Sequence, residues 1–258
     1  MKILTIGDVV GRRSIEYLSK NLRKTAASLG ADLVVCNGEN ASEIHGLSLR
    51  DAEALLDCGV DLITLGNHAF GSRDIYGYLD DNTDRIIRPA NYPDAVPGHG
   101  WCIADAAGRR VLVLNLAGCV YMESLVSPFD TADKILKMNE GKYDAVIVDI
   151  HAEATSEKMA LARYLDGRAS AVFGTHTHVA TADAQVLPGG TGYITDLGMC
   201  GSHAGILGVA TEDILHKFRM KTPVYFTPAK GQCAIHGVLF EIDGNGKCVK
   251  AEGVRWPE

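Results

Sequence analysis

The first two thirds of the chain alternates short apolar runs with longer amphipathic stretches. Apolar runs at residues 3–6, 33–36 and 61–65 are separated by stretches with helical periodicity at residues 14–29 and 48–58. Short strands that alternate with helices in this way are typical of βαβ units. The pattern therefore predicts a largely parallel sheet that is buried on both faces.

The pattern changes near the middle of the chain. Ala107-Gly108 lies between two apolar runs and predicts a β-hairpin, so antiparallel strands are expected from this point onward. Ser72 is placed to cap a helix, and two more helices are predicted at residues 132–138 and 156–165. The remaining predicted strands are residues 102–104, 111–116, 145–148, 171–173, 184–187, 193–194, 224–226 and 234–242.

These elements predict the fold class. Helices beside a strand-rich middle and C-terminus indicate an α/β fold with two mixed sheets packed face to face and helices outside them, a four-layer αββα sandwich. An ordinary doubly wound sheet is the alternative. The chain shows no domain boundary and no internal repeat, so we expect residues 1–258 to form a single domain.

Composition and charge narrow the class of protein. A formal charge of −7 without any run of basic residues argues against long nucleic acid as the main partner, while a small phosphate ester is still allowed. Seven cysteines without a Cys-x-x-Cys pair indicate free thiols in a reducing compartment. No stretch approaches the roughly 20 apolar residues that span a bilayer. We expect a cytoplasmic protein without a membrane segment, and the apolar content makes a homo-oligomer reasonable.

Five short segments place Asp, Glu, Asn or His directly after an apolar strand. In open α/β sheets ligands bind beyond the carboxyl ends of the strands, so these segments should converge on one site. They are Gly7-Asp8, Asn37-Gly38-Glu39-Asn40, Gly66-Asn67-His68, Asp149-Ile150-His151 and Gly174-Thr175-His176-Thr177-His178.

The residue types in these segments indicate metal chemistry. Carboxylate and imidazole together suit transition metals such as manganese, iron or zinc, whereas an all-oxygen set would suit magnesium or calcium. His176 and His178 are two residues apart, so an extended segment would direct both side chains to one face and to two neighbouring ions. Glycine before each group would allow a sharp turn and a close approach to a ligand.

The motifs resemble those of the calcineurin-type metallophosphoesterases, in order and spacing, over roughly the first 180 residues. They are more similar still to the bacterial YmdB-like branch of that family, over nearly the whole chain. The segments that carry this closer resemblance are Gly7-Asp8-Val9-Val10-Gly11, Asn37-Gly38-Glu39-Asn40-Ala41, residues 151–158, residues 174–179, Asp166-Gly167-Arg168 and Ile194-Thr195-Asp196.

The resemblance implies a role for each matching residue and a substrate class. It implies two divalent transition-metal ions, iron or manganese before zinc, and small phosphodiesters such as 2',3'- and 3',5'-cyclic nucleotides as substrates. Glu39 would bridge the two ions, and His68 would donate a proton to the leaving group. The other implied ligands are Asp8, Asn40 and His178 for the first ion, and Asn67, His151 and His176 for the second.

The chain departs from the wider family at two positions. Val10 stands where a histidine ligand is expected, and Asn40 is the natural substitute because it follows Glu39 on the same loop. Ala69 replaces an acidic residue that often follows Gly-Asn-His, so another group must orient His68.

Three further residues have open interpretations. His45 is close enough in sequence to Glu39 to line the pocket. Glu153 either orients a metal ligand or is an exposed carboxylate at the start of a helix. Arg88 is expected on a solvated face, with contact to a substrate phosphate as the alternative.

Two rival functions carry part of the same pattern. A metal-dependent amidohydrolase also has His-x-His, but on its first barrel strand, whereas here the pair flanks residue 177. A regulatory metal-binding protein of the same fold would keep the ligands with little catalysis. The presence of His68 favours an enzyme.

Overall fold

The computed structural model describes residues 1–42 and 45–257, and the predicted alternation of strands and helices holds through the N-terminal half. The strands are β1 Lys2–Ile6, β2 Asp8–Val9, β3 Leu33–Asn37, β4 Leu62–Thr64, β5 Ile86–Ile87, β6 Trp101–Ala106, β7 Arg109–Ala117, β8 Ala145–His151, β9 Ala171–Thr175, β10 Gln185–Val186, β11 Gly192–Ile194, β12 Met199–Ser202, β13 Cys233–Ile242 and β14 Cys248–Pro257. The α-helices are α1 Arg12–Leu29, α2 Leu49–Asp57, α3 Tyr76–Asp81, α4 Pro128–Met138, α5 Thr155–Tyr164 and α6 Thr211–Met220, and a 3-10 turn at Arg73–Ile75 precedes α3.

The strands form two mixed sheets, as predicted. In the first sheet β1, β3, β4 and β5 are parallel neighbours, β13 is antiparallel to β1, and β12 and β14 are antiparallel to β13. In the second sheet β7, β8, β9 and β11 run parallel, and β6 and β10 are antiparallel at its two ends. The predicted hairpin joins β6 to β7, and both turn residues, Ala107 and Gly108, have positive φ.

Alternate side chains of each strand enter different hydrophobic clusters. Ile3 and Val35 of the first sheet share one cluster with Val113 and Phe173 of the second, so these faces pack against each other. The intervening residues point the opposite way, because successive side chains of a strand alternate between faces. Leu4 and its neighbours pack against α1, α2 and α3, and on the second sheet Leu112, Leu114 and Val146 pack against α4 and α5. Each sheet therefore has helices on one face and the other sheet on its opposite face.

A side-chain cap marks the start of α2 but not the start of the 3-10 turn before α3. Helix α2 begins after Ser48, whose Oγ accepts a hydrogen bond from Asp51 N at 3.2 Å, which satisfies one of the free N–H groups of the first turn. Ser72 was predicted to cap a helix in the same way, and this was wrong. Its hydroxyl donates to the Asp74 carboxylate at 2.6 Å instead, and the chain enters a 3-10 turn.

The C-terminal third differs most from the prediction. Residues 224–226 form no strand; they lie between Pro223 and Pro228, which lack the N–H that a sheet ladder needs. Helix α6 and strand β14 were not predicted. Only Ile214 of α6 and Cys248 of β14 are buried, and β14 pairs with β13 alone, so neither element carries a long buried apolar run.

Two expectations from composition can be compared with the described residues. Every cysteine among them is a free thiol, as expected. None of their helices is both long enough and apolar enough to cross a membrane.

Candidate metal centre

The five predicted segments do meet at one place, where the carboxyl ends of the parallel strands in both sheets face each other. The first sheet provides the side chains that follow β1, β3 and β4, and the second provides those at the ends of β8 and β9. Two carboxylates lie at the centre, with Asp8 0% and Glu39 1% exposed. The residues brought together are Asp8, Glu39, Asn40, Asn67, His151, His176 and His178.

One group of ligand atoms surrounds His151 Nε2. This nitrogen lies 2.9 Å from Glu39 Oε1, 3.0 Å from Asn67 Oδ1 and 3.1 Å from His176 Nδ1. An imidazole nitrogen carries at most one hydrogen, so it cannot satisfy three acceptors. A cation among these atoms would satisfy all of them, and the donor set of one carboxylate, one amide and two imidazoles suits a transition metal.

A second group of ligand atoms meets the first at Glu39 Oε1. His178 Nε2 is 3.5 Å from Asp8 Oδ1, and Asn40 Nδ2 lies 3.2 Å from both Glu39 Oε1 and His178 Nε2. Asp8 Oδ1 is buried and has no hydrogen-bond partner among the described residues. Such an orphaned carboxylate oxygen is costly unless an ion satisfies it. A half-turn of the Asn40 amide would present its oxygen to the same point, so these residues also fit a metal ion.

Each histidine is oriented by a hydrogen bond from its outer nitrogen. When one ring nitrogen carries the hydrogen and donates it to an outer acceptor, the other nitrogen has a free lone pair with which to bind a metal. The outer partners are Thr175 Oγ1 for His151 at 2.9 Å, Glu153 Oε2 for His176 at 3.1 Å and Leu207 O for His178 at 3.4 Å. The three inner nitrogens therefore face the two carboxylates.

The electrostatics of the cluster favour added positive charge. Burial alone would raise the pKa of Asp8, but His178, His151 and the backbone N–H of His176 hold it well below its ordinary value. Burial lowers the pKa of His151, yet the Glu39 and Asp8 carboxylates outweigh this and raise it to about 9. The centre therefore attracts a cation, whether a proton or a metal ion, and a metal must displace the proton to bind.

The glycines before these groups permit close approach and do not adopt left-handed turns. None of Gly7, Gly66 and Gly174 has positive φ. A Cβ on Gly66 would collide with the His151 ring and the Glu39 carboxylate, and one on Gly7 or Gly174 would collide with backbone carbonyl oxygens. The predicted close approach is confirmed. A tight turn does begin at Gly66, whose carbonyl oxygen accepts a hydrogen bond from Ala69 N at 3.1 Å, although it needs no positive φ at the glycine.

The loop that carries His176 and His178 is not extended, contrary to the prediction. Both residues have positive φ, 96° and 61°, a conformation that non-glycine residues adopt only when their surroundings hold them there. Between them, Thr177 donates from its N–H and its hydroxyl to Asp196 Oδ2, at 3.2 and 2.7 Å. Lys158 Nζ reaches the same oxygen at 2.7 Å, and both side chains of this ion pair are fully buried. A buried ion pair thus supports the loop from behind.

The proposed proton donor lies at the mouth of the centre. The backbone N–H of His68 donates to Glu39 Oε2 at 3.0 Å, and its ring lies 4.5 Å from the ring of His45. Both rings line a cavity of about 260 Å³ together with Glu39 and His178. His45 therefore lines the pocket, as predicted.

The other two open interpretations are also decided by geometry. Glu153 contacts His176, and its side chain is 51% exposed, so it is both an orienting group and a solvated carboxylate. The prediction for Arg88 was wrong. Its side chain is buried and donates hydrogen bonds to the backbone oxygens of Pro89 and Pro97. These carbonyl groups replace the water that an exposed guanidinium would bind. A larger cavity of about 670 Å³ beside Arg88 and Trp101 is lined by none of the predicted metal ligands.

Sequence reasoning missed several supporting residues. Asp149 lies in one of the five predicted segments but was given no role of its own. It is fully buried and accepts hydrogen bonds from Thr64 and Thr175, and Thr175 also contacts His151. Burial raises the pKa of Asp149 to about 6 against the opposing effects of His151 and these hydroxyls. Asp196 closely follows β11, so the strand-end rule that found the five segments could have found it too. Lys158 lies within a helix and gave no comparable signal.

Comparisons with known proteins agree with one another. The sequence model of a family described as "YmdB-like protein" matches residues 4–254. The chain is 42% identical to the 2',3'-cyclic-nucleotide 2'-phosphodiesterase of Bacillus subtilis (strain 168), over 98% of this chain and 96% of that protein. A crystal structure of a Thermus thermophilus protein described as hypothetical has a TM-score of 0.94 and 41% identity, covering 100% of both chains. One described as a novel phosphatase, from Mycoplasma pneumoniae, has a TM-score of 0.93 and 33% identity, covering 100% of this chain and 94% of the other.

Proposed function

The chain belongs to the YmdB-like protein family, and from that premise we propose that it is a metal-dependent phosphodiesterase that hydrolyses small phosphodiesters. The position of the Glu39 carboxylate carries this proposal, because its Oε1 lies 2.9 Å from His151 Nε2 of one group and 3.2 Å from Asn40 Nδ2 of the other, where a carboxylate can be shared by two cations. The name of the B. subtilis relative makes 2',3'-cyclic nucleotides the first substrates to test. The 3',5'-cyclic nucleotides are proposed as further substrates.

The proposed ligand sets follow the two groups of atoms. Asp8, Asn40 and His178 would hold one ion, and Glu39 would be shared by both. Asn67, His151 and His176 would hold the other. Iron and manganese fit this mixed oxygen and nitrogen set, and zinc is also compatible.

The reaction proposed is attack of water on phosphorus with loss of one ester oxygen. When bound, two divalent ions supply an activated water and neutralise charge on the phosphoryl oxygens. His68 faces the same cavity as the ligands, where its imidazole would give a proton to the departing alkoxide. The contact with the His45 ring would hold the His68 ring in place. Ala69 cannot orient His68 in this way, because it has no polar side chain.

Two features of the architecture are part of the same proposal. The cluster shared by both sheets, with helices on the outer face of each, supports a four-layer αββα order. The contribution of both sheets to one metal centre supports a single domain over residues 1–258. Against the amidohydrolase alternative, the His-x-His pair follows β9 of an open sheet, not the first strand of a barrel.

Replacing His68 by alanine is expected to lower kcat on 2',3'-cyclic AMP by about 10²- to 10⁴-fold, because a general acid contributes that much to the rate. Metal content should stay at the wild-type level, since the His68 ring is not among the proposed ligands. The measurement combines steady-state kinetics with elemental analysis of the same protein samples. His216→Ala is the matched control, because His216 lies on the exposed surface of α6.

Wild-type protein that holds metal but turns over neither cyclic nucleotides nor a nitrophenyl phosphodiester would contradict the enzymatic proposal and favour the regulatory alternative. Full activity in His68→Ala would leave the phosphodiesterase proposal standing but remove its proton donor.

A further inference from the structure

The cavity beside the metal centre has two chemically different halves. One half is formed by proposed metal ligands and the rings of His45 and His68. The other half is an apolar wall, which consists of Ile206, Leu207, Val209, Ile214, Phe218 and Phe226. A molecule that fills this cavity therefore needs an anionic end and an apolar end.

The apolar wall comes from three segments, which are the loop at residues 206–209, helix α6 and Phe226 in the segment that follows α6. Ile214 and Phe218 are four residues apart on α6 and so lie on one face of that helix. Leu207 lies on the preceding loop, where Ile206 and Val209 are joined by backbone hydrogen bonds in both directions. Phe218 is 65% and Leu207 46% exposed. Single exposed apolar residues are common, but these two border the same cavity as the metal ligands.

The wall is physically connected to the metal centre. Leu207 has a positive φ of 52°, and its carbonyl oxygen faces His178 Nδ1 at 3.4 Å. The backbone that presents the Leu207 side chain to the cavity therefore also orients a proposed metal ligand. The loop therefore links the apolar wall directly to a proposed metal ligand.

We propose that the apolar wall is a nucleobase subsite, in which the base of the substrate stacks on Phe218 while the cyclic phosphate lies at the metal centre. This inference rests on the proposed function and deepens it, because it makes the nucleoside part a determinant of specificity. An aromatic side chain can stack on any flat base, whatever the base's pattern of hydrogen-bond donors and acceptors. A phosphodiester without a base would leave the wall exposed to water.

The test compares two five-membered cyclic phosphodiesters, 2',3'-cyclic AMP, which carries a nucleoside, and ethylene phosphate, which has neither ribose nor base. In Phe218→Ala we expect KM for 2',3'-cyclic AMP to rise about 10- to 100-fold, the loss that removal of a stacking ring produces, with kcat changed little. Kinetics on ethylene phosphate should be unchanged. Phe218→Tyr, which keeps the ring, should remain within a few fold of wild type. Leu215→Ala is the matched control, since Leu215 is also exposed on α6 but does not line the cavity.

A binding measurement tests the subsite without turnover. Calorimetric titration of adenosine 3'-monophosphate into metal-loaded protein should give a Kd that rises in Phe218→Ala by the same factor. The Kd of inorganic phosphate should not change. If the wild-type protein hydrolyses neither cyclic phosphodiester, the proposed function fails, and this titration alone decides on the subsite. Equal losses for ligands with and without a base, or no loss for either, would overturn the inference.

Discussion

Replacing Gly66 by alanine is expected to destroy the metal centre while the two sheets stay folded. The added methyl group would collide with the ring of His151, a proposed ligand of one ion, and with the Glu39 carboxylate, the proposed ligand of both. Both side chains are buried and held by other contacts, so the collision must move at least one of them from its position. Because a displacement of about 1 Å at a reacting centre is enough to lower the rate by about 100-fold, we expect at least that loss of turnover.

The measurement is metal content by elemental analysis together with hydrolysis of 2',3'-cyclic AMP, and circular dichroism reports the fold. Gly77→Ala is the matched control, because a Cβ at Gly77 meets nothing within 4 Å and its φ is not positive. We expect Gly77→Ala to match wild type in metal content and rate. A Gly66→Ala protein with full metal and full activity would contradict the placement of His151 and Glu39.

Replacing Asp196 by asparagine is expected to lower the free energy of unfolding by about 3–5 kcal/mol, because it leaves the Lys158 ammonium buried without a counter-charge. Both side chains are fully buried at 0% exposure, so water cannot replace the lost partner. The same carboxylate accepts both hydrogen bonds from Thr177, so the loop that carries His176 and His178 should loosen as well. Urea unfolding measures the change, with a chelator present so that metal binding does not contribute.

Two further variants test whether the effect of Asp196→Asn comes from the unpaired buried charge. Lys158→Met combined with Asp196→Asn removes the unpaired charge and should recover part of the lost stability. Asp144→Asn breaks a surface ion pair with Arg110 that is about half exposed, and should leave the unfolding midpoint almost unchanged. If Asp196→Asn and Asp144→Asn had the same small effect, the buried pair would not support the loop as described.

The sequence was informative where an element is buried on both faces and ends in a polar group. Strands β1, β3, β8 and β9 are fully or almost fully buried, so their apolar runs stood out and the side chains that follow them could be placed together. That rule located every predicted metal ligand at the place where the structure brings them together. It gave no role to Asp196, which carried part of the family resemblance and also follows a buried strand.

The features that were missed depend on contacts between residues distant in sequence. Helix α6 was missed although Ile214, Leu215 and Phe218 give it an apolar side; in the fold only Ile214 of these is buried. The left-handed conformations of His176 and His178 are imposed by Asp8 and Asp196, and no local pattern reports them. Pairing of Lys158 with Asp196 joins positions 38 residues apart, which only the folded chain brings together.

Anomalous diffraction from crystals grown with manganese tests most directly the proposal that two cations share the Glu39 carboxylate. The expected result is two anomalous peaks roughly 3.5–4 Å apart, both within bonding distance of Glu39. One peak should contact Asp8 and His178, and the other Asn67, His151 and His176. A single peak, or none, with Asp8 and Glu39 turned toward protein groups in place of a metal, would contradict the claim.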